Sequence, residues 1–295
     1  MTDRIIEIAD TPARLRVDLG RLAIEVAEQP PVFVQMSEIA AVVVSNAGVT
    51  LSQTVLAELA KHGAVFVAMS ENFLPIGMLL PLDAHSIQSA RMGKQAEAAE
   101  PTKKRAWQSI VRAKIKAQWA LLDEVGAPRS GLDELLSRVH SGDPENIEAQ
   151  AASKYWRALF GSDFRRDRDA FDQNRLLNYG YAVLRAATAR AICGTGLHPA
   201  LGVQHHNQYN PFCLADDLME PYRPMVDRAV HRVAAREGAQ VELSKAVRAE
   251  IASSLLGRLS VRGSQRTLFD ALSRSAASLA RVLTEEDRDL ELWVE

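Results

Sequence analysis

Residues 42–69 read VVVSNAGVTLSQTVLAELAKHGAVFVAM, and two different periods alternate within them. The flanks, AAVVVS (40–45) and GAVFVAM (63–69), are short β-branched runs bounded by Asn and Gly, which predicts strands. Between them, TLSQTVLAELAKHG opens on Thr50 or Ser52 as a cap, sets Val55, Leu56, Leu59 and Ala60 on one stripe, and stops at Gly63. That spacing predicts a helix. Working outward, RLAIEV (21–26) and PVFVQM (31–36) read as further strands, and ENFLPIGMLLPL (71–82) reads as a turn entering another. Beyond residue 90 every long segment has the helical period, and no internal repeat or low-complexity tract interrupts it. The expected fold class is α+β: a small β-rich amino-terminal domain (1–90), a basic linker (91–102) and a larger all-α domain (103–295).

Charge marks the same boundary. Residues 1–90 carry five basic side chains against ten acidic ones, net −5, whereas residues 91–119 carry eight against two, net +6. The overall balance of −2, with an isoelectric point near 6.4, conceals this asymmetry. With 295 residues, 47% hydrophobic and 24% charged, the composition is that of a soluble globular protein of two domains. No apolar run approaches the ~18 residues of a membrane helix. MTDRIIEIAD places acid where a secretory signal is basic and then apolar. Cys193 and Cys213 make neither a disulfide framework nor a zinc pattern, so a cytoplasmic location is expected.

The basic stretch KKRAWQSIVRAKIKAQW (103–119) is the first candidate site. On a helix, Arg105, Arg112 and Lys116 fall near one face with Trp107 and Trp119 interleaved, and Lys103 and Lys104 precede them. Such a face neutralises phosphates, although a solvated face with inward tryptophans has the same pattern. Arg165, Arg166, Arg168 and Arg175 form a second cluster, largely cancelled by Asp163, Asp167, Asp169 and Asp172.

Acid and imidazole collect at three further places. In SGDPENIEAQAASKYWRALF (141–160), Asp143 reads as N-cap with Pro144 at the first helical position, and Glu148 shares a face with Ala151, Ala152, Tyr155 and Leu159. GLHPALGVQHHNQYNPF (196–212) is a loop carrying His198, His205 and His206. CLADDLMEPYRP (213–224) sets Asp217 three residues and Asp216 four residues before Glu220, with Arg223 following as a possible partner. Charged groups leaving water are paired or hold a metal. Two carboxylates and an imidazole form a hard, oxygen-rich set suited to Mg²⁺ or Mn²⁺ rather than zinc, and such an ion serves phosphodiester chemistry.

The blocks NIEAQAASKYWRALF, DQNRLLNYGYAVLRAATARAI, GLHPALGVQHHNQYNPFCLADDLMEPYRP and VVVSNAGVTLSQTVLAELAKHGAVFVAMSENFLPIGMLLPL resemble the CRISPR-associated integrase and nuclease family of spacer acquisition, type II branch. The resemblance runs from the first domain to at least residue 236, and little from residue 237 onward shows it. It implies a β-rich dimerisation domain and a helical catalytic domain, with Glu148, His205 and Glu220 as catalytic metal ligands and Asp217 as a secondary one. His206 duplicates the histidine and leaves open which imidazole reaches the ion. Lys103, Lys104, Arg105, Arg112, Lys116, Arg165 and Arg166 are the expected DNA contacts. The implied partners are double-stranded DNA (foreign fragment and CRISPR repeat), a second copy in a homodimer, a small companion subunit and the RNA-guided effector nuclease. The implied reaction inserts foreign fragments by 3′-OH transesterification. A metal-dependent nuclease acting on branched or single-stranded DNA in repair, and a non-catalytic DNA-architecture subunit, are the alternatives.

Overall fold

The computed structural model describes residues 4–70, 75–81, 85–261 and 263–294. Its first part contains β1 (Arg4–Ile8), β2 (Arg14–Asp18), β3 (Arg21–Glu25), β4 (Val32–Gln35), β5 (Ile39–Val44), β6 (Thr50–Leu51), α1 (Gln53–Lys61), β7 (Val65–Met69) and β8 (Pro75–Leu79). Residues 42–69 are thus strand, helix and strand, with Ser52 as the cap of α1. Because α1 carries the chain back along the sheet, β5 and β7 pair in parallel, Val42 opposite Phe66. The first sheet has the order β1-β5-β7-β8, and only β8 in it runs antiparallel. A second sheet has the order β4-β3-β2-β6. The turn expected at the start of ENFLPIGMLLPL falls on residues 71–74, outside the described residues; its strand is β8.

Apolar runs such as IAAVVV suit a sheet buried on both faces. Val42 packs with Val55 and Leu59 of α1 in a core internal to this part. Ala40, Val43, Val65, Val67 and Met69 belong instead to the large core of the helical part. Arg248, 3% exposed, adds a polar tie between the two parts, meeting Glu7 at 2.9 Å and Asp10 at 2.7 Å.

The rest of the chain is α2 (Gln88–Glu97), α3 (Glu100–Glu124), α4 (Leu132–Ser137), α5 (Ile147–Phe160), α6 (Gln173–Gly194), α7 (Cys213–Met219), α8 (Arg223–Glu237), α9 (Lys245–Ser254) and α10 (Leu268–Leu283). The stretch read as a basic linker, 91–102, comprises most of α2, a break at Ala98 and Ala99, and the start of α3. It is docked as well, since the Gln95 side chain donates to the carbonyls of His198 (3.0 Å) and Leu201 (2.9 Å) and accepts from the His198 N–H (2.8 Å). The helical part also contains an antiparallel hairpin, β9 (Arg258–Val261) and β10 (Ser264–Thr267), in a stretch read as helix. The long helices α3 and α6 lie at the centre, α3 against α5, α8 and α10, and α6 against α7 to α10.

Candidate functional site

The site forms where α3, α5 and the turn between α7 and α8 converge. Glu148 lies in the first turn of α5. Asp143 does cap this helix, but from three residues further out than its spacing suggested. Its carboxylate accepts from the backbone N–H groups of Ile147 (2.8 Å) and Glu148 (2.9 Å), across a left-handed turn at Asn146. Glu220 starts a 3-10 turn, Glu220–Tyr222, and is 5% exposed.

Between these two carboxylates stands Lys114 of α3. Its ammonium pairs with Glu148 Oε1 and lies 2.6 Å from Glu220 Oε2. Arg223 Nη2 takes the other oxygen of Glu220 at 2.9 Å. Burial acts to raise the Glu220 pKa, but Arg223 and Lys114 outweigh it and hold the carboxyl below its ordinary range. For Lys114 burial acts to lower the pKa, and Glu220 and Glu148 reverse it, so the ammonium stays charged. Lys114 is 6% exposed, in phase with Trp107, Ile110, Val111, Ile115, Gln118, Leu121 and Leu122 on the buried stripe of α3. That phase was the available signal; counting Lys114 only as one more positive charge hides it.

His205 is the third element. Its Nδ1 meets Asp217 Oδ1 at 2.5 Å, its side chain is half exposed, and its ring stands edge-on to Trp107 at 5.7 Å. Asp217, with no exposed surface, also accepts from the backbone N–H groups of Val203 (2.7 Å), Gln204 (3.0 Å) and His205 (3.3 Å). The hydrogen bond to Asp217 raises the His205 pKa against the opposing effect of burial. Gly202 makes this close approach possible: a Cβ there would lie 2.4 Å from the His205 carbonyl oxygen and 2.9 Å from Asp217 Oδ2. Asp216 turns the other way, to Arg185 Nε (2.6 Å) and Asn210 Nδ2 (2.7 Å).

The structure therefore joins Glu148 to Glu220 through Lys114, and His205 to Asp217. Among the described residues no three His, Cys, Asp or Glu side chains stand close enough together to hold a metal ion. By chemistry, the donor types still suit one. Two carboxylates already share a single cation, and an imidazole anchored through Nδ1 by a carboxylate is the arrangement that presents Nε2 to a metal.

Beside the site, a cleft of about 640 Å³ opens between β8 and the histidine loop, lined by His205, His206, Tyr209, Arg168, Arg185 and Arg223. His206 is exposed there, and Tyr209 is 84% exposed. Arg168 belongs to the second basic cluster read from the sequence; Arg185 was not among the expected site residues, hidden in the apolar period of α6. Of the expected DNA contacts, Lys104, Arg112, Lys116 and Arg165 are exposed. Lys103 pairs with Glu100 (3.1 Å) and Arg105 donates to Thr102 (3.2 Å). Arg166 is bound to Asn174 (2.9 Å) and Asn178 (2.7 Å).

The family model for "CRISPR associated protein Cas1" matches residues 6–248. The chain belongs to that family. The CRISPR-associated endonuclease Cas1 of Neisseria meningitidis is 37% identical over 257 residues, covering 86% of this chain and 84% of the relative. A second relative of that description, from Pyrobaculum aerophilum, is 26% identical and covers 94% of this chain and 98% of its own. Among solved structures, a casposase bound to integration product superposes with a TM-score of 0.79 at 20% identity, covering 99% of this chain and 93% of that one. A Cas1 protein from Thermotoga maritima gives 0.78 at 17% identity, covering 98% and 99%. At such identities these two establish the fold, a β-rich part followed by a helical one.

Proposed function

We propose that this chain is a Cas1 endonuclease and integrase that inserts foreign DNA fragments into a CRISPR array, with Mg²⁺ or Mn²⁺ held by Glu148, Glu220 and His205. The observation that carries the reading is the carboxylate pair sharing one cation beside an imidazole fixed by Asp217. It gains weight from a relative, 37% identical, described as a CRISPR-associated endonuclease. The type II assignment rests on the LADDLMEPYRP and LNYGYAVL blocks.

Glu148 and Glu220 would supply the negative charge that holds an ion here, and such an ion would supply Lewis-acid polarisation of a phosphoryl group and a lowered pKa for an attacking hydroxyl. Asp217 holds Nδ1 of His205, which leaves Nε2 as the nitrogen that would ligate an ion. The 3′-OH of the fragment attacks a phosphodiester at the repeat's edge in line: its oxygen bonds to phosphorus, the bond from phosphorus to the flanking strand's 3′-oxygen breaks, and that oxygen leaves with a proton. Phosphodiester exchange of this kind needs no protein-bound intermediate. Arg168, Arg185 and Arg223 border the cleft and would place phosphates without reading bases. Double-stranded DNA, a second copy paired through the first domain, a small companion subunit and the RNA-guided effector are the proposed partners. A solved relative of the same fold, described as a Cas6-RT-Cas1–Cas2 complex, supports the companion.

One observation favours a second reading. Lys114 and Arg223 already balance the charges of Glu148 and Glu220, as in an ion network of a non-catalytic architecture subunit. Strand transfer of a 3′-OH fragment onto a repeat-bearing plasmid, in Mg²⁺ or Mn²⁺, decides between them. Glu148→Ala and Glu220→Ala should each abolish the product, with a folded dimer retained. Integration by Glu148→Ala at the wild-type rate would remove the site, and cleavage of branched DNA with no strand transfer by the wild type would favour a repair nuclease.

A further inference from the structure

An ammonium group on the buried stripe of a long helix is an expensive placement. The same helix has exposed positions for Arg112 and Lys116, yet Lys114 points inward among Trp107, Ile110, Val111 and Ile115. Taking such a charge from water costs several kcal/mol unless it meets partners of opposite sign. Its partners are Glu148 and Glu220, the carboxylates proposed above to hold the metal, which come from two other elements. Left alone, those two acids would repel each other across the same gap. With Arg223 on the far oxygen of Glu220, this quartet of side chains is electrically neutral as it stands.

Adding a divalent ion to this quartet without other change would bring two positive charges to the same two carboxylates. Like charges a few ångströms apart at the partly dry centre of a protein cost several kcal/mol. Lysine, a point charge on a four-carbon stem, has the freedom to withdraw, whereas a guanidinium locked in a bidentate fork does not. We propose that Lys114 is an internal counter-ion that holds Glu148 and Glu220 together in the metal-free protein, and that a divalent ion must displace it: pairing with Lys114 and metal binding exclude one another. This rests on the assignment of those glutamates as metal ligands. Lys114 is in this account a positioning residue, which assembles the carboxylate pair before the ion arrives and makes loading dependent on the concentration of metal.

The test uses the full chain and Mn²⁺ alone, with free Mn²⁺ followed by electron paramagnetic resonance and melting temperature measured in parallel. Lys114→Met keeps the length and apolar stem of the side chain and deletes the charge. It should bind Mn²⁺ at least tenfold more tightly than the wild type, melt several degrees lower without metal, and gain more degrees on adding Mn²⁺. Lys114→Arg should stay at or below the wild-type affinity. A second measurement needs no variant to fold: acylation of Lys114 in the wild-type protein, mapped by mass spectrometry, should be slow in metal-free buffer and accelerate severalfold as Mn²⁺ saturates. Unchanged or weaker Mn²⁺ affinity in Lys114→Met, or labelling indifferent to Mn²⁺, overturns the displacement while Glu148→Ala still abolishes Mn²⁺ binding. If neither the wild type nor Lys114→Met binds Mn²⁺ specifically, the metal assignment itself fails and takes the displacement with it.

Discussion

His205 and His206 are adjacent in sequence and differ in what holds them. Asp217 fixes the Nδ1 of His205 and, through three backbone N–H groups, the loop that carries it, whereas His206 stands exposed at the cleft. His205→Ala should therefore lose metal-dependent strand transfer, and His206→Ala should lose much less. Asp217→Asn keeps the shape but weakens the anchor, and loss of such an outer partner costs about 10–100-fold in metal affinity or activity. Strand-transfer rates of the three variants check this, and the reverse order of the two histidines would shift the ligand by one residue. At this scale the acids were legible, because Glu148 shares a stripe with Ala151, Tyr155 and Leu159, and Glu220 follows Leu218 and Met219, where charge conflicts with burial. Lys114 shows the same conflict, but neighbouring lysines and arginines disguise it as part of a solvated basic run. Which acid faces which partner was not legible, since Asp216 and Asp217 diverge through loop contacts that helical spacing does not contain.

Two turns along α5 from Glu148, Tyr155 donates to Asp227 Oδ2 at 2.7 Å, and Asp227 lies two turns along from Glu220 on α8. Tyr181 of α6 donates to the other oxygen. One buried carboxylate thus ties three helices together and fixes the separation of α5, which carries Glu148, from α8, which follows directly on the turn of Glu220. Burial pushes the Asp227 carboxyl up to about 6 from an ordinary 3.8, a shift that the two tyrosine donors and Arg223 reduce. A carboxyl whose folded pKa is raised contributes stability that is fully present below the unfolded value and lost as pH rises through the folded one. The wild type should therefore gain on Asp227→Asn by about 2 kcal/mol as pH falls from 7 to 4, most of the full effect of the raised pKa, since one pKa unit is about 1.4 kcal/mol. Denaturant unfolding of both proteins across that range measures the difference, and a flat difference would show that Asp227 titrates normally. From the sequence, α1 and its flanking strands could be read because cap, stripe and Gly63 agree. The β9–β10 hairpin could not, because its four-residue strands lie between long helical periods.

Across the whole molecule, the charge asymmetry of the sequence divides into internal and external parts. Some of the first domain's acidity is internal: Glu7 and Asp10 neutralise the buried Arg248. The +6 stretch divides too, for Arg91 is bonded to the Thr195 carbonyl at 2.7 Å, Lys114 is buried, Lys103 pairs with Glu100 and Arg105 with Thr102. Lys104, Arg112 and Lys116 remain exposed along α3. If DNA lies along that helix, replacing these three with glutamine, which keeps helix propensity, should lower the slope of log affinity against log salt by about 0.9 for each phosphate no longer neutralised. The weakening should be alike for unrelated duplexes, because phosphate contacts carry no base information. Mn²⁺ affinity should hold steady in the same variant, since the lysine that competes for the carboxylates is the one left in place. An unchanged salt slope would make this face of α3 a solvated surface, and the duplex would then have to be held from the other side of the site, where Arg168, Arg185 and Arg223 line the cleft against β8.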